Sequence, residues 1–261
     1  MAKTAKKAAK KPAAKKPAAK KAAKPAAQKK KPPAKSAAKS ATAKSAKAGS
    51  TNTGRFTLYG SMTSGPTYTV GLMLSLCRYP FSYIHVNLRE GQHKLPDYLV
   101  KNRYGQVPAL RDGQTYYVQS AAILLHLAET LGKFDGKSAF EKHRIREWLF
   151  WQWDKLALPI FRLRARARGF RQFGDEVRNM YDTEAKAALS VLEHELGKNE
   201  WILGKRPTIA DVGCFAVIRY LAEANIDLSS YPNVLAWKKR FEALPGFGTP
   251  EQILPMESRL L

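Results

Sequence analysis

Cysteine is scarce in this 261-residue sequence: Cys77 and Cys214 are the only two, and both fall in apolar stretches far apart. Two such residues argue against a disulfide framework or a cysteine-ligated metal centre, and they suit a reducing compartment. No stretch supplies the ~18 uninterrupted apolar residues of a membrane span, and the beginning of the chain lacks the apolar run of a secretory signal. Membrane insertion and secretion are therefore not expected. Residues 1–50 lack still more: they contain no acid, no aromatic and no Val, Leu or Ile. A segment so composed cannot build a core.

What those fifty residues do contain is 17 Lys, 19 Ala and 5 Pro, and they hold seventeen of the 24 net positive charges. Pro12, Pro17, Pro25, Pro32 and Pro33 interrupt any helix the Ala-Lys runs would favour, so residues 1–54 are expected to form a disordered basic tail. A mitochondrial leader would carry arginine, and here every cation is lysine, so the tail is read as permanent. Its composition resembles the Lys/Ala/Pro-rich tails of linker histones and bacterial histone-like proteins. Each neutralised phosphate releases a counterion, so association with nucleic acid or another polyanion is expected, without sequence readout and falling steeply with salt. The alternative is a solubilising tail with incidental contacts.

From Arg55 the pattern becomes that of a folded protein. Phe56–Gly60 reads as a strand, a Ser/Thr/Gly/Pro loop follows, and apolar periodicity predicts a helix over about 67–78. Alternation of Ile84, Val86 and Leu88 with His85 and Asn87 predicts a second strand over 82–88. A polar loop with His93 and Lys94, a short helix near 96–101, and strands over 107–111 and 115–118 come next. Asp112-Gly113 between the last two signals a hairpin. Ser120 is expected to cap a helix whose Ile123, Leu127 and Leu131 share one face. Everything after 137 reads as helix, near 139–168, 175–197, 208–224 and 231–244. This order predicts an α/β thioredoxin-like domain over 55–132 followed by an all-α helical bundle over 138–261.

Four short motifs sharpen the reading: Ser64-Gly65-Pro66, Asn102 with Gly105-Gln106-Val107-Pro108-Ala109-Leu110, Gln119-Ser120-Ala121-Ala122-Ile123, and Thr208-Ile209-Ala210-Asp211-Val212. Together, in order and spacing, they resemble the soluble glutathione transferase family, over roughly residues 55–247. The resemblance implies a cis bond before Pro108, which turns the Val107 backbone toward the cysteinyl backbone of glutathione. It implies that the γ-glutamyl carboxylate binds at Ser120, where a helix N-terminus favours an anion, although an ordinary cap explains that serine equally well. Gln119 stands where many members have Glu and would offer the ligand's amino group a neutral hydrogen bond. His93 and Lys94 match positions that hold the glycyl carboxylate, or they are solvated loop charges.

Glutathione chemistry needs thiolate, and a free thiol of pKa ~8.5 is mostly protonated at neutral pH. A hydroxyl at the start of the first helix, donating to sulfur, favours the thiolate. Ser64 matches the serine of the serine-type branch, with Ser61 and Thr63 as alternatives and Tyr59 less suited. Pro66, where many bacterial relatives have Asn, departs from the pattern, as does Arg103-Tyr104 after Asn102. No cysteine lies in the first loop, which argues against thiol transfer through a mixed disulfide on the protein. Thr208 and Asp211 form a capping pattern and read as structural.

Trp148, Phe150, Trp151 and Trp153 crowd one stretch and cannot all face one way, so some should pack in the core while others line an acceptor pocket or a dimer interface. Arg162, Arg164, Arg166, Arg168 and Arg171 follow, either as an anion-attracting surface or as a solvated basic face. Two functions remain open. One is a homodimeric glutathione transferase with glutathione as cosubstrate, conjugating an electrophile or reducing a peroxide or disulfide, in the cytoplasm and, through the tail, at nucleoid or chromatin. The other is a catalytically vestigial adaptor that dimerises and binds DNA or another polyanion. No metal is expected.

Overall fold

A computed structural model describes residues 54–256. The lysine-rich segment read above as a nucleic-acid-binding tail lies outside the described residues. Four strands form one sheet: β1 (Phe56–Gly60), β2 (Phe81–His85), β3 (Ala109–Asp112) and β4 (Thr115–Val118), in the order β2-β1-β3-β4. β1 pairs parallel with β2, and α1 (Gly65–Leu76) supplies the connection a parallel pair requires. β3 lies antiparallel to β1 and to β4, with Ala109 opposite Val118 and Asp112 opposite Thr115. Every residue of β1 is buried, as expected of a central strand covered on both faces. Phe56 and Leu58 face the main core, while Tyr59 joins Val86, Tyr98 and Ala109 in a small cluster of its own. Tyr98 comes from the short α2 (Pro96–Leu99).

α3 (Ser120–Leu131) packs beside α1, and the helical region follows: α4 (Ala139–Trp151), α5 (Leu158–Ala167), α6 (Asp175–Leu196), α7 (Ile209–Ile218), α8 (Pro232–Glu242) and α9 (Pro250–Ile253). A π-helical turn, Gln152–Ala157, joins α4 to α5. All ten residues of α7 are buried, and this helix packs on α1, α3 and α4, which makes it the centre of the molecule. Thr208 and Asp211 form the capping box the sequence suggested, and Asp211 also accepts from Trp237 Nε1 at 3.0 Å. The chain is thus a thioredoxin-like α/β region followed by helices. Among the described residues, no helix is long and apolar enough to cross a membrane.

Three local expectations need correction. The second strand ends at His85 rather than Leu88, because Asn87 Oδ1 accepts the N–H groups of Arg89 and Glu90 and turns the chain. The third strand begins at Ala109 rather than Val107, since Pro108 has no N–H to give a ladder. Ser120 does not cap α3: Gln119 occupies the cap position, and Ser120 is the first helical residue, its hydroxyl turned elsewhere.

Candidate functional site

A cavity of about 520 Å³ opens beside the sheet, and His93, Lys94, Val107, Pro108, Gln119 and Ser120 all line it. These six come from three loops, and the sheet brings them together. Asn102 braces the middle loop, its Nδ2 donating to the Gln106 carbonyl at 2.6 Å and the Pro108 carbonyl at 3.2 Å. Tyr98 Oη also donates to Gln106 O, at 2.8 Å. The Val107–Pro108 bond is cis, and neither the N–H nor the C=O of Val107 is engaged by another described residue. An extended peptide can pair with such a backbone edge as a short strand would.

Two side chains in this wall have buried polar atoms without protein partners, Ser120 Oγ and His93 Nδ1. Native structures pair nearly all such atoms, so two orphans on residues that line one cavity are a reason to place a polar ligand beside them. Ser120 is at the first turn of α3, where free N–H groups and the positive dipole end favour a carboxylate. Gln119 before it is held at φ 67°, a left-handed conformation that costs a residue with a β-carbon about 1–3 kcal/mol and that clusters at functional sites. Burial, helped by the neighbouring Lys94 ammonium, holds the His93 imidazole below its ordinary pKa. Lys94 Nζ donates to Gly105 O at 2.8 Å, which closes one side of the cavity.

Ser64 stands outside that wall, two residues before Pro66, which is part of it. It is the N-cap of α1, and its Oγ accepts the Thr67 N–H at 3.2 Å. The accepted bond leaves the hydroxyl proton available, so Ser64 can still donate to a ligand. Ser61 Oγ and Thr63 Oγ1 instead face each other at 3.0 Å and line a second cavity. Tyr59 is buried in the small cluster, its ring 6.0 Å from that of Tyr116. Both cysteines are buried: burial pushes the Cys77 thiol up to about 11 and the Cys214 thiol well above its ordinary value, which leaves neither poised as a nucleophile.

The helical region divides the tryptophan group between core and cavity and adds contacts that the sequence did not reveal. Trp153, in the π-helical turn, lines the first cavity, whereas Trp148 and Trp151 stack edge to face at 4.9 Å against the core. Gly65, at the start of α1, has no room for a side chain: a β-carbon there would lie 2.5 Å from Phe161 Cζ and 3.2 Å from Tyr220 Cε2. The arginines are neither a single patch nor merely solvated. Arg164 is buried and pairs with Glu223, Arg168 shares the same carboxylate, and Arg166 pairs with Asp175. Spacing along one helix could not reveal these partners, since Glu223 is more than fifty residues away.

The profile described as "Glutathione S-transferase, N-terminal domain" matches residues 58–133, and that described as "Glutathione S-transferase, C-terminal domain" matches residues 158–245. A glutathione S-transferase from Xanthobacter autotrophicus is 32% identical, with a TM-score of 0.69, over 76% of this chain and 100% of that one. A glutathione transferase from Burkholderia graminis, solved with two glutathione molecules bound per protein subunit, is 25% identical with a TM-score of 0.67, over 74% of this chain and 85% of that one. The disulfide-bond oxidoreductase YfcG of Escherichia coli is 27% identical over 188 residues, 69% of this chain and 87% of the relative.

Proposed function

The chain belongs to the glutathione S-transferase family, and we propose that it binds glutathione in the cavity beside the sheet and activates its thiol through Ser64. In this reading the γ-glutamyl carboxylate meets Ser120 Oγ and the N–H groups that open α3, and Gln119 takes the amino group. The Val107 backbone pairs with the cysteinyl backbone, and His93 and Lys94 receive the glycyl carboxylate. Ser64 then donates a hydrogen bond to sulfur, which favours the thiolate as the thiol proton leaves to solvent. The thiolate attacks an electrophilic carbon, forming the C–S bond as the leaving group departs; or it attacks a peroxide oxygen, breaking the O–O bond to release an alcohol and leave glutathione sulfenic acid, which a second glutathione thiol reduces to glutathione disulfide and water; or it attacks a disulfide sulfur, breaking the S–S bond to form a mixed disulfide and release the other thiolate. The observation that carries the reading is the meeting of two orphaned buried atoms, Ser120 Oγ and His93 Nδ1, with an unpaired backbone edge in one cavity. Glutathione bound to the Burkholderia graminis relative supports it.

A second reading is favoured by the engagement of Ser64 Oγ as a helix cap and by its place outside the cavity wall. Here the protein is a catalytically vestigial adaptor that dimerises, and the seventeen lysines of residues 1–50 associate with nucleic acid or another polyanion. One experiment separates the two. Glutathione is titrated calorimetrically into the full chain, and thiolate absorbance is followed against pH on the same sample. Binding with the thiol pKa at least about one unit below its free value, worth about 1.4 kcal/mol, supports the transferase and defeats the adaptor. No binding at millimolar glutathione, or binding without that shift, defeats the transferase and supports the adaptor.

A further inference from the structure

A second cavity of about 670 Å³ lies on the other side of the α1 loop, with Ser61 and Thr63 in its wall, and Leu88 lines both cavities. Phe161, Phe170 and Met256 supply its apolar surface. Its charged lining is of one sign: Arg89, Arg164 and Arg168, with no Asp or Glu among the described lining residues.

The three arginines are not equivalent. Arg164 is tied into the fold: it donates to Glu223 at 2.9 Å and to the Thr63 carbonyl at 2.9 Å, and it stacks over the Tyr220 ring at 4.0 Å. Arg168 shares the Glu223 oxygen at 2.8 Å and keeps most of its donors free. Arg89 is exposed and meets no carboxylate among the described residues. Both of the latter guanidinium groups sit over one ring, that of Phe170, at 5.9 Å for Arg89 and 5.6 Å for Arg168. Phe170 is itself 57% exposed. Two cations from different parts of the fold are thus gathered at the mouth of an apolar cavity, with a single carboxylate, already shared, to offset them. Their mutual repulsion falls when an anion lies between them, and a half-enclosed site screens that attraction less than open water.

We propose that this cavity takes the second substrate, and that the substrate is a flat apolar anion whose carboxylate lies between Arg89 and Arg168 while its ring packs on Phe161 and Phe170. The assignment as an acceptor pocket rests on the glutathione reading above; the affinity for an apolar anion does not. Planar guanidinium forks match a carboxylate, and Lys would not substitute for them. Arg164 acts behind the pocket as a positioning residue, holding the loop that forms its floor.

The test is calorimetric titration of the full chain with 2-naphthoate and with its neutral isostere 2-naphthamide, on the native protein, on R89Q and on the R89Q/R168Q variant, with circular dichroism confirming the fold. The acid should bind about tenfold or more tightly than the amide, and R89Q should remove much of that preference while sparing the amide. R89Q alters an exposed side chain with no carboxylate partner, so misfolding is not the expected cause of a loss. Equal binding of acid and amide overturns the proposal, as does a full preference retained in the double variant, which puts the anion elsewhere, the seventeen lysines included. Loss of naphthoate binding when glutathione is saturating also overturns it, because the cavity then belongs to glutathione. A separate glutathione titration keeps the two readings apart. Absent glutathione binding with an intact naphthoate preference sinks the transferase and leaves the anion site. Glutathione binding without a naphthoate preference does the reverse.

Discussion

The Arg164 guanidinium donates to the backbone carbonyl of Thr63 at 2.9 Å, so a residue of α5 holds the loop that carries Ser64. The same side chain reaches Glu223 and Tyr220, and a lysine cannot make all three contacts. Arg164→Lys should therefore destabilise the protein by about 2 kcal/mol, because Glu223 is partly exposed and only one strong contact need be lost outright. It should also raise the thiol pKa of bound glutathione more than it raises the glutathione Kd. Thermal unfolding and the absorbance titration together check this, and an unchanged thiol pKa would show that the loop holds its shape without Arg164.

Ser64 and Ser120 should fail differently. Ser64→Ala removes the donor to sulfur and should lower kcat/KM about ten- to a hundredfold with glutathione affinity nearly unchanged. Loss of the cap to Thr67 adds about 1 kcal/mol of instability. Ser120→Ala should instead weaken glutathione binding about tenfold and leave the thiol pKa of the bound form alone. Equal effects of both substitutions on both quantities would contradict the assigned roles.

Gly65 is closed to any side chain by Phe161 and Tyr220. Gly65→Ala should push the start of α1 away from the helical region, cost roughly 1–3 kcal/mol and depress thiol activation along with stability. Gly65→Ala combined with Phe161→Leu, which makes room, should recover part of the stability. Additive losses in the double variant would mean that the clash is absorbed elsewhere.

Acid stability should depend on Asp112. Its carboxylate accepts from Arg55 at 2.6 and 2.8 Å and from His126 at 2.9 Å, and these bonds, Arg55 first, hold its pKa below the ordinary range. A carboxylate with a depressed folded pKa stabilises above its unfolded value of about 3.9 and loses that contribution as pH falls through the folded value. Unfolding midpoints should thus decline below about pH 4, and Asp112→Asn should flatten that decline. A decline of the same steepness in Asp112→Asn would assign it to other carboxylates.

Asp211 has the opposite sign. It is fully buried and accepts from the N–H groups of Ile202 and Thr208 at 3.0 and 2.9 Å and from Trp237 Nε1, yet burial outweighs these bonds and pushes its pKa up to about 6. Because the folded state binds this proton more tightly than the unfolded chain, the stability tied to Asp211 falls as pH rises from about 4 to 6. Asp211→Asn turns an amide donor toward donors and should cost about 2–4 kcal/mol. The loss should be smaller at pH 7 than at pH 4, since an Asn lacks the charge whose burial is penalised, and a larger loss at pH 7 would reverse this account.

Much of this was legible in the chain itself. The strand at β1, the turn at Gly113, the capping box of Thr208 and Asp211 and the order of the elements all follow from spacings of a few residues, over which backbone geometry imposes a turn or a cap. His93, Lys94, Val107, Pro108, Gln119 and Ser120 were legible too, since each lies in a short loop segment or at the start of a helix, whereas Trp153 of the same wall was one of a crowded group. What only the tertiary structure decided is everything that depends on distant partners. Ser120 looked like a cap, but Gln119 took that place and left the hydroxyl buried without a protein partner. The spacing of the arginine run left open an anion-attracting surface or a solvated face, whereas Glu223, Thr63, Tyr220 and Phe170 divide it into a buried brace and a charged edge of the second cavity. The Arg164 contacts to Glu223 and to the Thr63 carbonyl join residues 59 and 101 positions apart, and no local periodicity records them, because they arise only when distant segments pack together.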